Sequence, residues 1–290
     1  MTLPGPADVD QWLTSGGDSR LRVNTTTQLN EYGCQPRPRP RALSFSSSTA
    51  STISRCAYDA AEDALATVQA SNRPDAFDTL VEGMRAELKG LWHLPAEVDV
   101  VFAPSGTDAE LRALHLARCV LPGPVVSIVV GADETGSGMP LASAGRHFNG
   151  ETANGRRAIK GRRIRGLANE IDSILISTLG SDSQVRALDA IDADVLHSTQ
   201  EAIAQGHSVA LNVITHSKLG THAPSAGCVA RIRTDFGERV QVIVDACQAR
   251  TSRAQINAHL AQDSIVLITG SKFFTGPAFS GALFEVLVAY

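Results

Sequence analysis

Apolar and polar positions fall into distinct regimes along the chain. Up to about residue 50 no apolar period develops. A Gly/Ser/Asp opening leads to Tyr32-Gly33-Cys34-Gln35, then to the alternation Pro36-Arg37-Pro38-Arg39-Pro40-Arg41, then to the serine cluster from Ser44 to Ser48. Alternating prolines fix φ and remove backbone donors, so residues 1–50 predict an extended, polyproline-like arm rather than core. From Thr52 the pattern turns helical. An Ala-rich segment runs to about Ala70, Asn72-Arg73-Pro74 interrupts it, and a second helix is predicted from Ala76 to about Leu91, with Phe77, Leu80, Met84 and Leu88 at helical spacing.

Beyond Leu91 short apolar runs alternate with helical patterns, the mark of a mostly parallel sheet covered by helices, here over residues 51–290. The runs are Val98 to Phe102, Val125 to Val130, Ile171 to Thr178, Ser208 to Ile214, Val240 to Val244, Ile265 to Ile268 and Gly281 to Val288. Helices are predicted at Asp108 to Val120, Ala193 to Gln205 and Thr251 to Ala261. The stretch Gly145 to Leu167 breaks this rhythm. Rich in Gly and Arg and poor in apolar residues, it reads as a long surface loop or an insertion.

Composition narrows the class. With 290 residues, 43% hydrophobic and 19% charged, the chain can bury a full core and is not generally disordered. Thirty acidic against 26 basic residues give a formal charge of -4, so the chain as a whole offers no footprint for nucleic acid or an anionic membrane. Five widely spaced cysteines without a CxxC pair fit reduced thiols better than a disulfide framework or a zinc site. The first twenty residues hold no apolar signal-peptide core, and no apolar run approaches the roughly 18 residues of a membrane span. A cytoplasmic protein is the expectation.

The densest chemistry lies in the last fifty residues. The run Val240 to Val244 ends in Asp245-Ala246-Cys247-Gln248, and Ile265 to Ile268 ends in Thr269-Gly270-Ser271-Lys272. Residues just past the C-termini of parallel strands converge on one crevice, so Asp245 and Lys272 are expected to share it. Their separation of 27 residues (272 minus 245) accommodates one crossover helix. Pro104-Ser105-Gly106-Thr107 follows the first strand and opens a helix, whose unpaired N–H groups and positive dipole end suit a phosphate. Singly, each element has a plainer reading: the aspartate as a cap, the SGT turn as an N-cap, the lysine as solvated. In this order and strand context the joint reading prevails.

VDACQ, a helix, and then TGSKFFTGPAFSG resembles the cofactor half of fold-type I pyridoxal-phosphate enzymes, nearest to the class V aminotransferase and cysteine desulfurase branch. The resemblance implies a three-layer α/β/α large domain with a mostly parallel seven-stranded sheet. It implies Lys272 as the catalytic residue and imine-forming amine, Asp245 as the carboxylate on the pyridine nitrogen, and phosphate contacts from Gly106, Thr107, Thr269 and Ser271. Gln248 is matched to the ring's phenolic oxygen, Thr135 to the residue over the ring face, and Ser217 to an asparagine near the ring. Ser271 stands where desulfurases carry histidine, Ser217 where they carry asparagine and Thr135 where they carry a stacking histidine, so an ordinary desulfurase is disfavoured. The resemblance further implies pyridoxal 5'-phosphate as cofactor, a small amino-acid substrate, a homodimer, and a small C-terminal domain that is absent or truncated here, since Tyr290 follows Lys272 by 18 residues.

Other motifs add little. Gly270-Ser271-Lys272 lacks the order of a nucleotide-binding P-loop, no GxGxxG follows the first strand, there is no HExxH, and His197, His207, His216 and His222 lack metal-ligand spacing. Cys247 reads as a small buried thiol. The run Arg156, Arg157, Lys160, Arg162, Arg163 and Arg165 is either a solvated loop or a contact for an anionic substrate or carrier. Tyr32, Cys34 and Arg37 either belong to a tether or enter the site. Two function classes therefore stand: an enzyme acting on an amino acid, aminotransferase-like or a carbon–sulfur or Cα–Cβ lyase, and a catalytically incompetent cofactor domain that needs a partner chain or serves as a binding module.

Overall fold

The computed structural model describes residues 8–41, 45, 48–71, 73–167 and 171–286. Ser44, Ser46, Ser47, Asn72 and the end of the last apolar run lie outside them. The helices are α1 (Val9–Leu13), α2 (Arg55–Ala70), α3 (Ala76–Trp92), α4 (Gly106–Val120), α5 (Met139–Ala142), α6 (Leu188–Ala204), α7 (Ala226–Phe236) and α8 (Arg253–Leu260). The strands are β1 (Val98–Ala103), β2 (Val125–Val130), β3 (Ile171–Ile176), β4 (Ser208–Ile214), β5 (Val240–Asp245), β6 (Ile265–Thr269) and β7 (Gly281–Val286).

All seven strands form one sheet in the order β1-β7-β6-β5-β4-β2-β3. β7 runs antiparallel to both of its neighbours and the remaining pairs are parallel. The sequence expectation of a mostly parallel seven-stranded sheet in three layers is met. Every residue of the central strands β2, β4 and β6 is buried, as unbroken apolar runs require, whereas edge strand β3 exposes Asp172 and Leu175.

Side-chain alternation divides the sheet between two cores. Ile128, Leu211, Val213, Val242, Val244, Val266 and Ile268 pack against Trp92 of α3, Val195 of α6, Ile232 of α7 and Leu260 of α8. Val125, Ala210, Ile243, Ile265 and Leu267 face the other way, onto Ala109, Ala113, Leu114 and Ala117 of α4. The same parity carries Asp245 and Thr269, at the ends of β5 and β6, to the α4 side.

Serine caps begin four helices: Ser54 for α2, Ser105 for α4, Ser225 for α7 and Ser252 for α8, the last in a capping box with Gln255. Several boundaries differ from the sequence expectation. α4 starts at Gly106 rather than Asp108, because Ser105 caps it and the expected turn becomes its first residues. α6 starts at Leu188 rather than Ala193; its early aspartates have poor helix propensity, yet Asp189 suits the positive end of the helix dipole. α7 has no counterpart in the sequence reading. The third apolar run stops pairing at Ile176, since Ser177 and Thr178 turn to bind Asp133. On α3 only Leu88 and Trp92 reach the core, and Phe77 and Met84 are exposed.

The segment before α2 is tied to the body. Val9 packs with Ile53 and Tyr58, and Leu21, Cys34 and Ala50 are buried. Across Gly145 to Leu167 two isolated bridges, Arg146 with Arg163 and Glu151 with Arg157, fold an excursion back on itself without a regular element.

Leu211 is fully buried in β4 and Leu175 is half exposed in β3. Leu211→Ala is expected to cost about 2–5 kcal/mol and Leu175→Ala under about 1 kcal/mol in equilibrium urea unfolding. Equal losses would contradict the assigned layers.

Candidate active site

A cavity of about 430 Å³ opens at the C-terminal ends of the parallel strands. It is lined by Asp245 and Thr269 from the strand ends, by Ser271 and Lys272 from the loop after β6, and by Gly106 and Thr107 from the first turn of α4. A crevice of about 20 Å³ shares Asp245 and Lys272 with it and adds Thr135, Ser217 and Gln248. The nine residues matched to a cofactor site in the sequence thus line one or the other of these two adjoining spaces.

The first turn of α4 has donors to spare. Ser105 Oγ accepts from Asp108 N at 3.3 Å, and Ser105 O accepts from Ala109 N at 2.9 Å. Among the described residues no acceptor pairs with the N–H of Gly106 or Thr107, so two amides and the helix dipole point positive charge at the cavity.

Several side chains are already engaged. Asp245 Oδ1 accepts from Cys247 N at 2.9 Å. Thr269 Oγ1 donates to Cys247 O at 2.7 Å, which commits its proton within the protein. Gln248 Nε2 donates to Ser48 O at 3.1 Å, while its buried Oε1 has no partner among the described residues. Thr135 Oγ1 donates back to Ala132 O at 3.1 Å. Burial holds the Cys247 thiol well above its ordinary pKa, in keeping with an inert packing role.

Four residues outside the sequence-derived set shape the site. Glu134, 3% exposed, accepts from Thr178 Oγ1 at 2.6 Å, from Leu219 N at 3.2 Å and from Ser217 Oγ, joining the loops that follow β2, β3 and β4. Lys218 lines both cavity and crevice and donates to Thr135 O at 2.7 Å. Burial, and then the charge of Lys272, lower its pKa. Arg20 lies between the rings of Phe148 and Phe279, grips Asp18 and reaches Ser105 Oγ at 3.2 Å, clamping the N-terminal segment to the cap of α4. Glu110, one turn into α4, is completely buried. With the Asn212 amide turned so that its oxygen accepts from Ser127 Oγ, its nitrogen donates to Glu110 Oε1 at 2.9 Å and Oε2 at 3.0 Å.

Of the arm residues, Tyr32 lines the cavity, Cys34 lines a separate small pocket, and Arg37 pairs with Asp8 at the surface. Within the basic run only Lys160 lines the cavity, and its companions are exposed on the excursion. Among the described residues no group of three His, Cys, Asp or Glu side chains is placed to hold a metal ion, and no helix is long and apolar enough to cross a membrane.

No protein-family model matches the chain and no curated protein matches it in sequence. Solved structures match it in fold. Catharanthus roseus tryptophan decarboxylase in complex with L-tryptophan aligns with a TM-score of 0.54 at 14% identity, over 81% of this chain and 50% of that one. The glutamate decarboxylase domain of a Vibrio parahaemolyticus diaminobutyrate-pyruvate transaminase and L-2,4-diaminobutyrate decarboxylase gives 0.53 at 16%, over 82% and 50%. Oryza sativa TDC with PLP and tryptamine gives 0.52 at 18%, over 81% and 48%. The chain spans about half the length of these structures. At such identities the likeness is one of fold: it matches the three-layer large domain expected from the sequence, and it does not distinguish one branch of these enzymes from another.

Burial, with a further contribution from the charge of Asp245, raises the Glu110 pKa from 4.5 to about 8. Folded Glu110 therefore keeps its proton over a range in which the unfolded chain releases it, so this group makes the fold less stable as pH rises from about 4.5 to about 8. Glu110→Gln, which cannot ionise, is expected to gain in Tm over wild type as pH increases through that window. A Tm difference that is constant with pH would show that Glu110 titrates normally.

Proposed function

We propose that the chain is the cofactor-binding domain of a pyridoxal-phosphate-dependent enzyme acting on an amino acid, with Lys272 as the amine that carries the cofactor. The observation that carries this reading is the shared cavity: a primary amine, a strand-end carboxylate and a helix N-terminus with two amides that find no acceptor among the described residues line one space. That donor set fits the group. An aldehyde needs an amine, a pyridine nitrogen needs a carboxylate, and a phosphate needs N–H donors.

When bound, pyridoxal phosphate supplies an electron sink for charge left at the substrate's Cα. The chain's own residues do the rest. Lys272 Nζ is the nucleophile and, once released, can take or return a proton at Cα. Asp245 is the acceptor that keeps a proton on the pyridine nitrogen. The N–H groups of Gly106 and Thr107 hold the phosphate, and the Ser271 hydroxyl in the same wall is a further donor. Thr269 would join them only on releasing Cys247 O, whereas Gln248 Nε2 keeps a second N–H beyond the one given to Ser48 O and would offer it to the ring oxygen. Glu134 fixes the loop and turn that bring Thr135 and Ser217 to the ring.

Transamination, carbon–sulfur or Cα–Cβ cleavage and decarboxylation would all start from this arrangement. Decarboxylase names among the fold neighbours favour cleavage at Cα, whereas the sequence resemblance to the class V branch favours transamination. The homodimer implied by that resemblance is part of the same proposal.

Adding pyridoxal phosphate to the purified protein should produce the visible band of a lysine-bound cofactor, and Lys272→Ala should abolish it. Borohydride reduction followed by peptide mapping should find the added pyridoxyl group on Lys272. A label on Lys218 or Lys160 would move the anchor, and a wild-type protein that shows no band would refute the reading.

A further inference from the structure

Lysine is scarce in this chain and concentrated at the cavity. Of its 26 basic residues only four are lysines, Lys89, Lys160, Lys218 and Lys272, and the last three line the same space. Lys160 is exposed on the excursion at the rim. Lys218 reaches further in. It lines the crevice as well, alongside Lys272 and Asp245, and its stem is half buried.

The ammonium of Lys218 is incompletely matched. It can donate three hydrogen bonds, and one goes to Thr135 O at 2.7 Å. Among the described residues no carboxylate comes within ion-pair distance of it. Asp245 and Glu134 line the same crevice and act on it only from beyond that distance, while Lys272 opposes it; a cation partly withdrawn from water with no direct ion pair is costly, and such sites are where proteins receive anions. Arg20, which also lines the cavity, is already taken by Asp18 at 2.6 Å and Asp108 at 3.4 Å. The phosphate of the cofactor has its own donors at α4, on Gly106 and Thr107. The anion left without a partner is the one every amino-acid substrate brings.

We propose that Lys218 holds the carboxylate of the incoming amino acid next to the amine of Lys272. The proposal rests on the cofactor reading given above. The Thr135 carbonyl fixes the ammonium, and Glu134 holds both loops involved through Ser217 and Leu219 N, so the carboxylate would meet a preorganised donor. Lys218 acts on substrate position and not on cofactor capture.

Two aminooxy probes test this without knowledge of the substrate. Aminooxyacetate carries a carboxylate and O-methylhydroxylamine does not. Each displaces the Lys272 amine from the cofactor's imine carbon to give an oxime, with no redox change, and the resident visible band disappears. In wild-type protein loaded with pyridoxal phosphate, aminooxyacetate should react faster by roughly tenfold or more, the worth of one charge-assisted hydrogen bond. Lys218→Met should keep the band and bring the two rates within about twofold of each other, and Lys218→Arg should restore the preference. An undiminished preference in Lys218→Met, or no preference in wild type, overturns the proposal. So does a soluble Lys218→Met protein that fails to take up the cofactor, since Lys218 would then serve the cofactor itself. A wild type without any band removes the underlying reading and this proposal with it, an outcome distinct from a band with an unchanged rate ratio.

Discussion

The first turn of α4 lies directly against the ends of β5, β6 and β7, and the geometry of the whole cavity depends on that contact. A Cβ at Gly281 would stand 2.8 Å from the carbonyl carbon and oxygen of Ser105, and one at Gly106 would stand 2.8 Å from Cys247 Sγ and 3.1 Å from Thr269 Cγ2. Only glycine permits this approach, because in the first case the opposing atoms are backbone and cannot rotate away. Close seating lets one helix N-terminus serve the same space as the strand-end Asp245 and the loop that bears Lys272. The Arg20 clamp on Ser105 holds the cap of that helix from the other side.

Parity in the sheet supplies the second half of the arrangement. Ser127, Asn212, Ile243 and Asp245 all fall on the α4 side, so the face that meets α4 is polar toward the cavity end and apolar beneath Ala113 and Ala117. Glu110 occupies the junction. Burial, with the charge of Asp245 adding to it, raises the Glu110 pKa well above the usual carboxylate range.

Much of this was legible in the sequence, and the reasons for the rest are physical. Predominantly apolar runs marked β2, β4, β5 and β6 because buried parallel strands carry apolar residues on both faces, and the residues that end β5 and β6 could then be placed at one edge. Asp245 and Lys272 followed from strand order. α7 escaped because its pattern, AGCVARIRTDF, buries only Cys228 and Ile232 and so carries a weak period. Glu110 falls within the predicted helix from Asp108 to Val120 and carries no mark of its own there; only the tertiary packing of α4 encloses it. Lys218 stood within a turn whose neighbour Ser217 was matched to the family pattern. Its one available signal was the rarity of lysine in an arginine-rich chain, which composition totals conceal. Arg20 belongs to a segment without periodicity, and its importance comes from partners more than eighty residues away in sequence.

The central claim is that the first turn of α4, Asp245 and Lys272 form one binding unit. A crystal structure of the protein grown with pyridoxal phosphate tests it most directly. The account requires electron density continuous with Lys272 Nζ, the pyridine nitrogen against Asp245, and the phosphate within hydrogen-bond distance of Gly106 N and Thr107 N. Density joined to another lysine, or a phosphate bound away from α4, would contradict it.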